Sequence, residues 1–357
     1  MNPAGPQQVG LRALLYRDAH RLDEALRLHD RAVAAAPAAA EQRWNRGLTS
    51  LLAGRCREGW EDYESRWRTP GFPTKPRGFT QPLWSGGPIA GRTILLHEEQ
   101  GRGDAIQFIR YAPLVAARGA RVVVETGADL AALFGSVEGV SQVVVSGDPL
   151  PPFDLHCPLL SLPRAFGHGL PDIPARVPYL QADPQRTARW ADRLADADPG
   201  GRPLRVGLVW AGNPGFAGDR ERSPGLEVLR PLLAQPGCRF YGLQVGAGRL
   251  ALLGEAMPAS FTDLGAEIGD FADTAAVMAG LDLVISSCTA PAHLAGALGR
   301  PVWVMLSHTP DWRWLLDRSD SPWYPTARLF RQPAPGDWSP VVAAMRDALE
   351  AVVRGRL

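Results

Sequence analysis

From residue 93 onward the sequence alternates short aliphatic and β-branched runs with stretches of helical length, and this alternation narrows the fold more than any other feature. TILLH (93–97) is followed by a glycine-rich turn and a helix over 104–118, RVVVE (121–125) by a helix over 128–135, and QVVV (142–145) by an irregular proline-rich stretch. A polar helix over 184–197 opens a second set: RVGLVW (205–210), helix 225–234, CRFYGLQ (238–244), helix 272–280, LDLVIS (281–286), helix 290–298, PVWVML (301–306) and a terminal helix over 339–354. Strands separated by helices pair in parallel, with helices covering the sheet. The sequence therefore predicts an α/β protein with two consecutive Rossmann-like parallel-sheet halves. That architecture is called GT-B, and its ligand is expected in the cleft between the halves.

A helical region comes first. Residues 8–37 show helical periodicity in two pieces, with Leu11, Leu14, Leu15, Leu22, Ala25, Leu26, Ala32 and Val33 as the expected inner face. WNRGLTSLLAGR and REGWEDYESRW form a second pair that aligns with the first at a shift of 34 residues, Ala13 with Gly47, Ala25 with Gly59 and Ala32 with Arg66. This segment resembles tetratricopeptide repeats, with Tyr16, Ala25, Ala32 and Pro37 on the pattern of the first unit and Gly47 on that of the second. Two units are fewer than the roughly three a free solenoid needs, so packing on the next domain through Trp60, Tyr63 and Trp67 is expected. The stretch TPGFPTKPRGFTQPLWSGGP (69–88) breaks any helix and reads as a linker. The expected domains are residues 1–73 (helical hairpins), 74–183 (first half) and 184–357 (second half with the terminal helix).

Composition excludes several classes. At 45% hydrophobic and 21% charged residues the chain can build ordinary cores. With 38 Lys+Arg against 37 Asp+Glu, no global field favours nucleic acid or an anionic membrane. Lys75 is the single lysine, which reads as the codon bias of a GC-rich genome. Cys56, Cys157, Cys238 and Cys288 are scattered, so neither a metal site nor a disulfide framework is expected. The first residues carry no apolar core of an export signal, and no stretch reaches membrane-spanning length. A cytoplasmic location is expected, with peripheral contact at the inner membrane left open.

Four segments could carry chemistry. In EEQGRGDAIQF (98–108), Gly101 and Gly103 offer positive φ and close backbone approach, while Asp104 stands at a helix entrance, as a cap or as a carboxylate directed at a ligand. Gly101-x-Gly103 followed by Glu125 imitates a dinucleotide fingerprint, but Ile106 stands where its third glycine belongs. The Arg-Gly-Asp spelling at 102–104 is a coincidence. In WAGNPGFAGDRERSPGL (210–226), Asn213 belongs to a flexible loop, Arg220 and Arg222 offer guanidinium forks, and Ser223 with Pro224 starts a helix. This suits a diphosphate, or is a solvated charged loop. In SSCTAPAHLAGALGRP (286–301), Thr289 caps a helix and His293 lies one turn on, structural or within reach of a phosphate or ribose. Trp312, Trp314, Trp323 and Tyr324 either cap a sheet or stack on a sugar or base.

Together QGRGDAIQFIRY, GLVWAGNPGFAGDRERS, GDFADTAA, CTAPAHLAGALGRPVW and PDWRWLLDRSDSPWYPTARLF resemble bacterial proteins in which tetratricopeptide repeats precede a glycosyltransferase domain similar to the ADP-heptose:lipopolysaccharide heptosyltransferases of glycosyltransferase family 9. The resemblance implies an inverting, metal-independent and cofactor-free transfer from a nucleotide sugar to a glycan, lipid or protein acceptor. It makes 74–183 the acceptor side and 184–357 the donor side. It also implies that Asp104 is the base, that Asn213, Arg220, Arg222, Thr289 and His293 hold the donor diphosphate, and that Gln244 contacts base or ribose. One position departs: the family's Asp-Thr-Gly is Cys288-Thr289-Ala290 here, and a thiol cannot replace a carboxylate. The family's phosphate-binding lysine also has no counterpart, and Arg220 or Arg222 replaces its charge but not its shape. The rival expectation is a catalytically silent scaffold whose repeats recruit a protein partner.

Overall fold

The computed structural model describes residues 5–195 and 203–355. The chain forms two compact units. The first holds the described residues as far as Glu125, then Gly139–Pro174 and Thr309–Arg318; the second holds Thr126–Glu138, Ala175–His308 and the remainder from Ser319.

Four helices open the first unit: α1 (Pro6–Asp18), α2 (Leu22–Ala35), α3 (Ala40–Leu52) and α4 (Cys56–Tyr63), the last continued by a 3-10 turn over Glu64–Arg68. They pair as two hairpins. The inner face of α1 is Val9, Gly10 and Ala13, whereas Leu11 and Leu15 are exposed, contrary to expectation. A side chain at Gly10 would fall 2.1 Å from Gln42 Oε1 of α3, so α1 approaches on its small residues and turns its leucines outward. The proline- and glycine-rich stretch that follows is irregular but packed: Phe72 sits edge-on to Trp44 and Trp67, and Phe79 to His97.

The first sheet has the order β3-β2-β1-β4, from β1 (Thr93–His97), β2 (Arg121–Thr126), β3 (Val140–Val145) and β4 (Leu155–Pro158), with β1 parallel to both neighbours. Ile94, Leu95 and Leu96 are fully buried because β1 is covered on both faces, which is why it reads as an uninterrupted apolar run. Helices α5 (Arg102–Phe108) and α6 (Ala112–Ala116) lie between β1 and β2, α7 (Ala128–Phe134) between β2 and β3, and α8 (Leu162–Phe166) after β4. The stretch expected to be irregular after residue 145 thus contains a strand and a helix.

The second unit contains α9 (Pro184–Leu194), β5 (Leu204–Val209), α10 (Asp219–Arg222), α11 (Leu226–Leu233), β6 (Cys238–Gly242), β7 (Phe261–Asp263), α12 (Phe271–Ala279), β8 (Leu283–Ser287), α13 (Ala290–Ala297), β9 (Val302–Leu306), β10 (Ala327–Arg331) and α14 (Ser339–Arg354). Positions 196–197 of the expected polar helix lie outside the described residues. All five pairings in the order β10-β9-β8-β5-β6-β7 are parallel. One core cluster joins β5, β6, β8 and β9 to α11 and α14 through residues such as Trp210, Phe240, Met305, Met345 and Leu349.

Candidate functional site

In each unit some of the candidate residues lie where the strand order reverses. From β1 the chain winds outward to β2 and β3 and then returns to place β4 on the other side of β1, so the reversal lies between β1 and β4. Ligands of open α/β sheets bind outside the carboxyl ends of strands at such a point. Here Arg66 fills it. Its fully buried guanidinium donates through Nε to Glu99 Oε2 (2.8 Å) and through Nη2 to Glu99 Oε1 (2.7 Å), in the loop after β1. Nη2 also donates to Ser161 Oγ (2.8 Å), just after β4. Burial opposes the charge of Arg66, but Glu99 and Glu64 outweigh it and raise its pKa.

The same loop carries Asp104. Gln100, not a glycine, takes the left-handed conformation (φ 59°). It is tied by its backbone N–H to Thr74 Oγ1 (3.1 Å) and by Nε2 to Tyr63 Oη (2.8 Å). Gly101 is extended at φ −93° and Gly103 lies inside α5, so the positive φ expected of these two glycines falls one residue earlier. Gly101 serves closeness instead: a Cβ there would stand 3.2 Å from Asp104 Oδ2, which accepts the Gly101 N–H at 2.9 Å. Asp104 therefore caps α5 with one oxygen, while Oδ1 accepts from Arg313 Nη2. The two readings of Asp104 are compatible, since its side chain keeps 20% of its exposure.

Arg313 was not singled out by sequence reasoning. It belongs to the first unit, where Nη1 donates to both Asp311 oxygens (2.9 and 3.1 Å) and Nε donates to Gln107 Oε1. Its guanidinium lies 4.1 Å from the Trp312 ring centroid. Burial opposes its charge, yet Asp311 and Asp104 together raise its pKa. The only sequence hint was an Asp-x-Arg set among tryptophans. Trp312, Trp314, Trp323 and Tyr324 are all buried, which favours the packing alternative over stacking on a sugar or base. Glu125, the acidic residue of the imitated dinucleotide fingerprint, is engaged by Arg77 at 2.7 Å.

In the second unit β5 leads to β6 and β7 on one side and β8 leads to β9 and β10 on the other, so their loops part between two neighbouring strands. Arg222, in α10, bridges them: Nη1 donates to the Cys288 carbonyl (3.0 Å), Nε to Asp219 Oδ1 (3.1 Å), and the guanidinium stacks 4.5 Å from the Phe216 ring centroid. A methyl on Gly212 would lie 2.2 Å from Asp219 Oδ1, 2.7 Å from Arg222 Nη2 and 3.0 Å from Thr289 Cγ2. Only glycine leaves room there. Thr289 precedes α13, but its hydroxyl turns back to the Ser287 carbonyl (3.3 Å) and makes no cap bond. Within the first turn of α13 Pro291 has no N–H to offer and the Ala292 N–H bonds the Thr289 carbonyl (3.0 Å).

The other candidates are placed differently. Ser223 is not the cap of α11: its hydroxyl accepts the Gly212 N–H (2.9 Å), and Gly225 (φ 81°) occupies the cap position. Asn213 closes its own turn by accepting from Gly215 N–H (2.9 Å), and Arg220 lies exposed on α10. His293 is buried, with Nδ1 2.9 Å from Tyr324 Oη. Gln244 is buried too. Its Oε1 accepts the backbone N–H of Trp210 (3.1 Å) and Ala211 (2.9 Å), and its Nε2 donates to the Val245 carbonyl. It is a strut for the exit of β5.

Among the described residues, no group of three or more His, Cys, Asp or Glu is arranged to hold a metal ion, and no helix is long and apolar enough to cross a membrane.

No family model matches the sequence. Protein FlbA of Caulobacter vibrioides is 31% identical over 339 residues, covering 87% of this chain and 55% of that protein. The chain thus spans about half the length of the curated relative it matches. Among solved structures, the E. coli ADP-heptose LPS heptosyltransferase II superposes with a TM-score of 0.51 at 13% identity, covering 73% of this chain and 99% of that one. A glycosyl transferase family 9 protein from Veillonella parvula superposes at 0.48 and 8% identity, covering 73% and 91%. The likeness to heptosyltransferase II is one of fold: two parallel-sheet halves of the GT-B type, here preceded by four helices.

Proposed function

We propose that the chain is a glycosyltransferase that moves a sugar from a nucleotide-diphosphate sugar to an acceptor hydroxyl. The observation that supports this reading best is the convergence of Gly212, Arg222 and the amino end of α13 where the strand order of the second unit reverses. A guanidinium beside the amino end of a helix suits a diphosphate. The base comes from the first unit, where Asp104 accepts the acceptor's proton. The acceptor oxygen then bonds to the anomeric carbon as the bond from that carbon to the diphosphate oxygen breaks, which inverts the centre. Arg222 and the positive end of α13 take up the charge that develops on the leaving diphosphate. The helical hairpins are read as tetratricopeptide-like. The sugar transferred is of the hexose or heptose class, and the acceptor a glycan, lipid or protein.

Thermal-shift measurements with ADP, UDP, GDP and their sugars test the donor half, because ligand at about 100 times its Kd adds about 2.7 kcal/mol to native-state stability. One nucleotide and its sugar should stabilise the protein selectively. Asp104→Asn should keep that shift and lose turnover; full residual transfer would remove Asp104 from the role. Cys288, in place of the family's aspartate, is what favours the second reading, a silent scaffold. Stabilisation by no nucleotide, or by a nucleotide sugar that is never turned over, would favour it.

A further inference from the structure

We infer that Arg313 is the positioning residue for the base, fixing the Asp104 carboxylate toward the acceptor, and that the helical hairpins hold Arg313 in place. The inference rests on the transferase reading. Asp104 is held at both oxygens, by the Gly101 N–H on Oδ2 and by Arg313 on Oδ1, so its carboxylate has one orientation. Arg313 is equally fixed, by Asp311 at Nη1 and by Gln107 at Nε. Its neighbour Trp312 is wedged edge-on against Trp60 of α4 (centroids 5.1 Å apart, 89°) and lies 6.4 Å from Tyr63. Tyr63 in turn accepts from Gln100, the strained residue that leads into the Asp104 turn. One continuous set of contacts runs from α4 through Trp312 and Arg313 to the carboxylate, and only a planar fork can hold Asp104, Asp311 and Gln107 together.

The charged and titratable groups that act on this carboxylate are Arg313, Tyr63 and Glu99, with Asp311 paired to Arg313 and Arg66 paired to Glu99 behind them. Removing Arg313 leaves the local balance more negative, so the proton is held more tightly by Asp104.

The test is a titration of Asp104 in protein carrying aspartate labelled with ¹³C at the carboxyl carbon, its signal assigned by loss in D104N. Arg313→Met should raise the titration of Asp104 by about one to three pH units. Arg313→Lys should leave the Asp104 titration close to that of the wild type yet lower kcat at least tenfold, with KM for the donor unchanged. An Asp104 titration that is the same in wild type and R313M, or an R313K enzyme with wild-type kcat, would overturn the inference. Should R313M not fold, R313K decides alone. A titration that moves as expected while D104N retains full transfer would leave the clamp standing and refute Asp104 as the base.

Discussion

Arg66→Met strands a carboxylate in the interior of the first unit. Arg66 and Glu99 both have side chains with no exposure, and Arg66 also bonds Glu64, Ser161 and the Tyr63 carbonyl. Methionine keeps the length and apolar stem but donates nothing. Breaking a buried pair from one side costs about 3–5 kcal/mol. At about 2–4 °C per kcal/mol for a domain of this size, the unfolding midpoint of the first unit should fall by about 6–20 °C. The loss should depend on pH. Burial already holds the Glu99 carboxyl above the usual carboxylate range against the pull of Arg66, and without Arg66 it rises further. A carboxyl whose folded pKa exceeds its unfolded value binds its proton more tightly in the native state, so it stabilises the fold at acid pH and ceases to do so as pH rises through the folded value. The deficit of R66M should therefore be largest at neutral pH and shrink toward pH 4.5. Urea unfolding followed by tryptophan fluorescence measures this, with Arg66→Met/Glu99→Gln as the second arm of a double-mutant cycle. The double variant should recover most of the loss at pH 7. Equal destabilisation of both variants, with no pH dependence, would refute the stranded-charge argument and assign the cost to packing.

Two further predictions concern the donor site and the helices. Arg222→Lys keeps the charge beside Asp219 but loses the fork, so affinity for the stabilising nucleoside diphosphate should fall about 10- to 150-fold for one lost charged hydrogen bond, read by calorimetry; an unchanged Kd would remove Arg222 from the diphosphate. His29 is buried 3.1 Å from Thr49 Oγ1, and burial holds its pKa down to about 4 against 6.5. Its neutral form stabilises the hairpins above about pH 6.5. About 3 kcal/mol of that should be lost as pH falls toward 4, with His97, held down to about 3, adding in the same sense. Stability curves of His29→Leu should slope less between pH 6.5 and 4, and an unchanged slope would contradict the argument.

How much was legible in the sequence depended on whether a residue's environment is set locally. The strands β1, β2, β5, β8 and β9 announced themselves because burial on both faces demands continuous apolar residues. The strands β4 (LHCP), β7 (FTD) and β10 (ARLFR) did not, since they are short or of mixed character and exist because a neighbouring strand is there to pair with. The inner face of α1 was misjudged because hydrophobicity favours Leu11 and Leu15 while close approach to Gln42 demands Gly10. Asp104 stood out from its place between strand and helix, whereas its partner Arg313 lies 209 residues further along and no local pattern connects them. Gln244 shows the converse. A polar residue at a strand end suggests ligand contact, but the backbone N–H groups of Trp210 and Ala211 already claim it.

The helical hairpins are more than an appended arm. A detachable repeat would bury apolar side chains within itself and offer its neighbour a polar rim. Instead the end of this segment sends Arg66 between the ends of β1 and β4, lays Trp60 against Phe108 and Trp312, and gives Tyr63 to Gln100. An unpaired Arg66 or Glu99 would each be costly in the interior, so neither the hairpins nor the sheet reaches its lowest free energy without the other. The crevice of the first sheet is closed by its own chain, and the loop that closes it is the loop that carries Asp104. A change in that loop is therefore felt at Tyr63 and Arg66, and a change at either of them is felt at the loop.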